Sequence, residues 1–85
     1  MTYSISLSKE AARAFRRIHR QDAVRIKAAI SALAENPRPP GSVQLVGGEG
    51  ELRVRVGDYR VVYEVIEEEI VVLILRVGHR REIYR

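Results

Sequence analysis

Arg53, Arg55 and Arg60, joined near the end of the chain by His79, Arg80, Arg81 and Tyr84, are the side chains of this sequence with the most to offer a reaction. The arginine guanidinium is a planar fork of donors that matches phosphate and stays protonated, so it clamps an anion well and serves poorly as a base. Several such donors together hold a phosphodiester and stabilise the charge that builds on its oxygens during transfer. In RNA the adjacent 2′-hydroxyl is already a nucleophile, so the reaction requires neither a protein nucleophile nor a metal. Holding that hydroxyl in line with phosphorus contributes much of the rate by itself. Proton transfer then falls to Tyr84 and His79 as the better candidates. Tyr84 has a second reading, a partly buried tail residue that anchors the C-terminus.

Other chemistries lack their parts. His19 and His79 are the only histidines, there is no cysteine, and no carboxylates cluster around either histidine at ligand spacing. The serines have no credible base and orienter, and no cofactor is expected. Gly47-Gly48-Glu49-Gly50 leads into a strand and not into a helix start, which discounts a phosphate-cradling loop. Glu64 could enter a two-carboxylate acid/base site, but a salt bridge to Arg60 or Arg53 is the plainer reading.

The arginines are positioned by the run Leu52-Arg53-Val54-Arg55-Val56-Gly57-Asp58-Tyr59-Arg60-Val61-Val62-Tyr63, two alternating segments about a Gly-Asp turn. A two-residue turn sets Val56 opposite Tyr59, Arg55 opposite Arg60 and Val54 opposite Val61. Cross-strand partners share a face. Arg53, Arg55 and Arg60 therefore gather on one side, with Leu52, Val54, Val56, Tyr59, Val61 and Tyr63 on the other. Like charges opposite each other destabilise a sheet, which suggests an anion that belongs between them.

Tyr3, Ile5 and Leu7 alternate with polar residues and read as a first strand. Ser8 is the expected cap of a helix that buries Ala11, Ala14 or Phe15, and Ile18. Arg13, Arg16, Arg17 and Arg20 form the complementary stripe. It fits an ordinary solvated helix face and, as a candidate RNA-binding surface, a track for a nucleic-acid backbone. Asp22 is the expected cap of a second helix that buries Ala23, Ile26, Ile30 and Leu33 and stops at Asn36-Pro37. The proline-rich connector leads to a short strand over Val43–Val46 and then to the hairpin. After the turn Glu67-Glu68-Glu69, the run Ile70 to Leu75 is apolar on both faces and reads as a central strand. The order implies an α+β domain spanning residues 1–85: an N-terminal strand and a two-helix hairpin packed on an antiparallel sheet of about four strands.

The 85 residues are 46% hydrophobic, enough for one small core, and carry a formal charge of +4. Eight of the 15 basic residues, against four of the 11 acidic ones, lie in residues 1–50, and the remaining seven of each lie in 51–85. The hairpin arginines are thus concentrated by face and not by overall charge. An anionic partner is favoured, nucleic acid first. The absence of cysteine, of a signal peptide pattern and of a membrane-length apolar run fits a cytoplasmic protein with no membrane partner.

The hairpin, the acidic turn, the aliphatic strand and the tail Arg76-Val77-Gly78-His79-Arg80-Arg81-Glu82-Ile83-Tyr84 together resemble the RelE/ParE toxin superfamily of toxin–antitoxin systems, over nearly the whole chain. The resemblance implies a RelE-like fold and a type II toxin inhibited by a cognate antitoxin. For RelE-type members it implies a ribosome-dependent, metal-independent endoribonuclease that cuts mRNA in the A site by 2′-hydroxyl attack. ParE-type members share the fold and poison DNA gyrase, and a third possibility is a non-catalytic nucleic-acid-binding partner of an antitoxin. By position, Arg53 and Arg55 match the basic pair before the turn, Arg60 the arginine after the tyrosine, Arg80 the arginine of the tail motif, and Tyr84 the terminal tyrosine. Arginine stands where lysine is familiar in the strand pair, which shifts proton chemistry toward Tyr84. The chain stops short of the C-terminal helix found in some members, so inhibition is expected from an antitoxin segment that covers the basic face or wraps the sheet and helices.

Overall fold

In the computed structural model, which describes residues 2–45, 47, 48 and 50–83 and side chains as far as 81, the alternating N-terminal run forms β1 (Ser4–Leu7). Ser8 caps α1 (Lys9–Arg17) as expected: its Oγ accepts from the Ala11 backbone N at 3.0 Å, and Glu10 lies in the first turn, where the helix dipole favours a carboxylate. His19 caps α2 (Arg20–Glu35) through Nδ1, which accepts from the Gln21 backbone N at 3.2 Å. The expected cap, Asp22, sits instead within the first turn, because an imidazole nitrogen takes the capping role. A carboxylate there still complements the positive helix end. Asn36 leaves the helical region before Pro37, and its Oδ1 accepts from the Arg38 backbone N at 3.2 Å.

There follow β2 (Val43–Gln44), β3 (Leu52–Val56), β4 (Tyr59–Ile66), β5 (Val71–His79) and the single turn α3 (Arg80–Ile83). The sheet has five strands in the order β1-β5-β4-β3-β2 and is mixed rather than wholly antiparallel. β1 runs parallel to β5, from Ser4 beside Val71 to Leu7 beside Ile74. Alternation marks a strand and carries no direction; here the chain passes through the helix pair before β1 gains its neighbour. β5 lies between β1 and β4, as its unbroken aliphatic run implies. The strand expected over Val43–Val46 is shorter, and Val46 lies outside the described residues. β5 begins one residue after Ile70, which turns the chain at φ 55, a left-handed conformation rare for a β-branched residue. Its carbonyl accepts from the Ser4 backbone N at 2.9 Å, next to the first β1–β5 pair.

Both helices cover one face of the sheet. Ala11, Ile26, Ile30 and Leu33 pack there against Val54, Val61, Tyr63, Val72, Ile74 and Val77. Tyr63 is fully buried, and its hydroxyl donates to the Pro37 carbonyl at 2.6 Å, tying the proline-rich connector to the middle of the sheet. At the same end of the fold Glu67 accepts from the Tyr3 hydroxyl at 2.8 Å and pairs with Arg38 at 3.0 Å. Among the described residues no helix is long and apolar enough to cross a membrane.

Burial pushes the Tyr63 hydroxyl above the ordinary tyrosine range, with a hydrogen bond to Ser42 and the Arg38 charge acting weakly the other way. The unfolded chain therefore releases this proton first, and stability should decline as pH rises above about 10. Tyr63→Phe should remove Tyr63's share of that alkaline slope. It should also cost about 1–3 kcal/mol at neutral pH, because the Pro37 carbonyl loses its donor. Urea unfolding at pH 7 and above pH 10 checks both effects.

Candidate functional site

Gly57 opens the hairpin turn with φ 61, while Asp58 keeps a negative φ, the pattern of a type II′ turn with glycine first. The register across it sets Val56 beside Tyr59, Arg55 beside Arg60, Val54 beside Val61 and Arg53 beside Val62. Val54, Val61 and Tyr63 enter the core, so Arg53, Arg55 and Arg60 occupy the face away from the helices.

On its other side Arg60 pairs with Gly78 of β5, a buried position with no side chain to compete for space. Arg60 is itself buried, with 6% of its surface exposed. Its Nη1 donates to the Tyr59 carbonyl at 3.1 Å and, at a long 3.5 Å, to the Gly57 carbonyl, so the guanidinium folds back beneath the turn. The Arg80 backbone N donates to the Asp58 carbonyl at 2.8 Å, which fixes the start of α3 to the same turn. Burial lowers the Arg60 pKa from the ordinary arginine value. The positive charges of Arg55, Arg53 and Arg80 lower it further, and Asp58 acts in the opposite sense. Arginine remains protonated even so. Four guanidinium groups thus share one electrostatic environment, three from the hairpin and one from the tail.

β5 reaches this arrangement through an irregularity. Ile74 pairs with Tyr63 and Arg76 with Val62, leaving Leu75 as an extra residue on β5. Val72 and Ile74 face the core, and strict alternation would send Arg76 there too. The bulge shifts the parity, so Val77 enters the core and Arg76 and Gly78 join the arginine face. The Leu75 carbonyl accepts from the Ser8 hydroxyl at 2.7 Å, so the residue that caps α1 also satisfies the bulge.

The structure separates other candidates from this group. His79 pairs with Tyr59 and lies on the helix side, its ring meeting the Tyr59 ring edge-on with centroids 5.7 Å apart. It does not reach the arginine face, because its pairing with Tyr59 sets it on the side opposite Gly78, while Arg80 already begins α3. Its Nδ1 accepts from the Arg81 backbone N at 3.3 Å, and the Arg81 side chain is exposed. Arg13, Arg16, Arg17 and Arg20 are exposed on helices that cover the opposite face of the sheet, so they form a separate surface. Tyr84 lies outside the described residues. Glu64 follows Arg60 and Val62 on the arginine face and makes no ion pair among the described residues. No group of three or more His, Cys, Asp or Glu side chains among the described residues is placed to share a metal ion.

Arg25, absent from the sequence-derived set, reaches the turn from α2: a Cβ added to Gly57 would lie 3.2 Å from its Nη2. Only the packing of α2 against the hairpin end reveals this, since nothing in the local pattern of α2 distinguishes Arg25 from the other exposed helix arginines.

Because Arg55 stands directly opposite Arg60, Arg55→Thr should raise stability by about 0.2–1 kcal/mol in urea melts at low salt. The gain should shrink as salt screens the cluster. A loss of stability at low salt would mean that the pair does not repel.

The family model for the ParE toxin of the type II toxin–antitoxin system parDE matches residues 5–84. Among solved structures, the chain is similar to the archaeal RelE–RelB complex from Pyrococcus horikoshii OT3, with 27% identity, a TM-score of 0.78, and coverage of 94% of this chain and 97% of that one. It is similar to the intact E. coli RelBE toxin–antitoxin complex, with 25% identity, a TM-score of 0.81, and coverage of 91% and 95%. It is also similar to the isolated E. coli RelE toxin, with 27% identity, a TM-score of 0.81, and coverage of 96% and 90%. No curated protein sequence matches closely enough to add a relative.

Proposed function

The chain belongs to the ParE toxin family of type II toxin–antitoxin systems, within the RelE/ParE superfamily, and from that premise we propose that it is a ribosome-dependent, metal-independent endoribonuclease that cuts mRNA in the A site. The observation that carries this reading is the buried Arg60 with Arg53, Arg55 and Arg80 around it. A phosphodiester laid on that face meets the exposed Arg55 and Arg80 and the half-buried Arg53 in front and the fixed charge of Arg60 behind. The 2′-oxygen attacks phosphorus, the bond from phosphorus to the 5′-oxygen breaks, and a 2′,3′-cyclic phosphate and a free 5′-hydroxyl result. The attacking hydroxyl gives up a proton and the leaving oxygen gains one. Negative charge on the non-bridging oxygens peaks between those events, where preset cations act most strongly. Arg53, Arg55, Arg60 and Arg80 take the clamp role, and Tyr84 is assigned to proton transfer. Arg81 and the helix arginines are assigned to holding RNA or ribosome outside the reacting phosphate.

The RelE structures solved with RelB supply the model for regulation. A cognate antitoxin holds this chain inactive in the cytoplasm, with a segment laid over the basic face or wrapped around sheet and helices.

Induced expression without antitoxin should stop growth and produce cuts within translated messages, mapped as new transcript ends that disappear without ribosomes. Arg80→Ala should lower cutting by about 10²–10³-fold, the usual cost of removing one donor to a developing oxyanion, with the fold intact by circular dichroism. Tyr84→Phe should abolish most of what remains. Cutting that survives both changes overturns the site assignment. The match to the ParE toxin model favours one other reading, inhibition of DNA gyrase, and accumulated DNA breaks with intact messages would select it.

A further inference from the structure

On the helix side of the sheet, where the hairpin turns, α2 and the strand ends enclose an open cavity of about 330 Å³. We propose that this cavity is a base pocket that selects guanine in the RNA strand. Its part in choosing substrate rests on the endoribonuclease reading; its chemistry does not.

The walls carry unspent hydrogen-bonding capacity of both kinds. Asp22 and Arg25 stand three residues apart on α2, and Asp58 comes from the turn. None of these three side chains forms a hydrogen bond or ion pair with another described residue. The edge-to-face pair of Tyr59 and His79 supplies an aromatic wall, and Val56 an apolar patch beside it. The volume of about 330 Å³ lies at the low end of the roughly 300–1,000 Å³ typical of small-molecule sites and has room for one base.

The pattern of donors and acceptors decides among the bases. Guanine offers two acceptors, O6 and N7, on one edge, which match a guanidinium fork. On the adjoining edge it offers two donors, N1–H and N2–H, which match a carboxylate. Adenine mixes an amino donor among its acceptors, so the fork meets a like group. Cytosine gives the fork two acceptors but the carboxylate a single amino group, and uracil has no paired acceptors of this kind. An arginine and aspartates lining one cavity therefore offer guanine a matching partner for each of its two edges.

The turn joins this pocket to the phosphate clamp. Gly57-Asp58 lies between Arg60, whose Nη1 reaches the Tyr59 and Gly57 carbonyls, and Arg25, which closes on Gly57 from the helix side. The two sites lie on opposite faces of the sheet and meet only at this turn.

Free nucleosides test the pocket on the full chain, because they lack phosphate and do not report on the clamp. In amide-resolved NMR titrations guanosine should shift the signals of Asp22, Arg25, Gly57 and Asp58 saturably. Adenosine, cytidine and uridine should bind about tenfold more weakly or not at all. Arg25→Ala, at an exposed helix position, should weaken guanosine binding by about tenfold, and Asp22→Asn should act in the same direction. An equal response to all four nucleosides, no response to guanosine, or binding indifferent to both substitutions overturns the pocket. Guanosine binding by a protein that leaves translated messages intact keeps the pocket and removes the endoribonuclease reading. Cut messages without guanosine binding do the reverse.

Discussion

A two-residue turn leaves the hairpin no freedom of register. With Gly57 at φ 61 and one residue after it, Val56 must face Tyr59 and Arg55 must face Arg60, and every other pair follows. A slip of one residue would exchange the two faces of β4, sending Arg60 toward the helices and Val61 out of the core. The core under the helices and the cationic face behind them are thus two consequences of the same constraint. Glycine is required at the first turn position for its positive φ, and the Arg25 guanidinium lies close beside it.

The constraint would fail at β5 without the extra residue Leu75. Val72 and Ile74 must stay in the core beside Val65 and Tyr63, yet Gly78 must lie opposite Arg60 on the other face. Simple alternation cannot satisfy both ends of one strand. The bulge does, and its cost, a backbone carbonyl outside the regular ladder, is met by the Ser8 hydroxyl. Ser8 also caps α1 through the same oxygen. One serine therefore couples the first helix to the place where β5 changes parity.

These two features differ in how visible they are in the sequence. The turn is a local signal, and the convergence of Arg53, Arg55 and Arg60 follows from it by counting. The helices, their buried residues and the Asn36-Pro37 stop are local signals of the same kind. The bulge has no such signature: Ile70 to Leu75 is apolar at every position, so no alternation remains from which a shift could be read. His79 and Arg80 are adjacent in the chain, yet His79 ends β5 beside Tyr59 on the helix side and Arg80 begins α3 at the turn. The direction of β1, the capping of α2 by His19 and the approach of Arg25 to the turn are tertiary facts. They depend on where the helix pair lands, and no spacing within those segments encodes it.

The division of the sheet into two faces also divides its energetics. On the helix side, apolar burial and the Tyr63 bond to Pro37 hold the fold, and the Tyr3, Glu67 and Arg38 contacts close it at the end opposite the turn. On the other side, Arg60 is buried and feels Arg55, Arg53 and Arg80, all of the same sign. Nothing about stability calls for that concentration of charge; covalent register imposes it, and the core on the far face sustains it. Such a surface is most strained when empty of anions, because each guanidinium raises the cost of ionising the next. An anion between them adds an attraction to each guanidinium and so offsets that mutual repulsion. Affinity for phosphate and electrostatic strain in the free protein are therefore one property of the hairpin, set by the same two-residue turn.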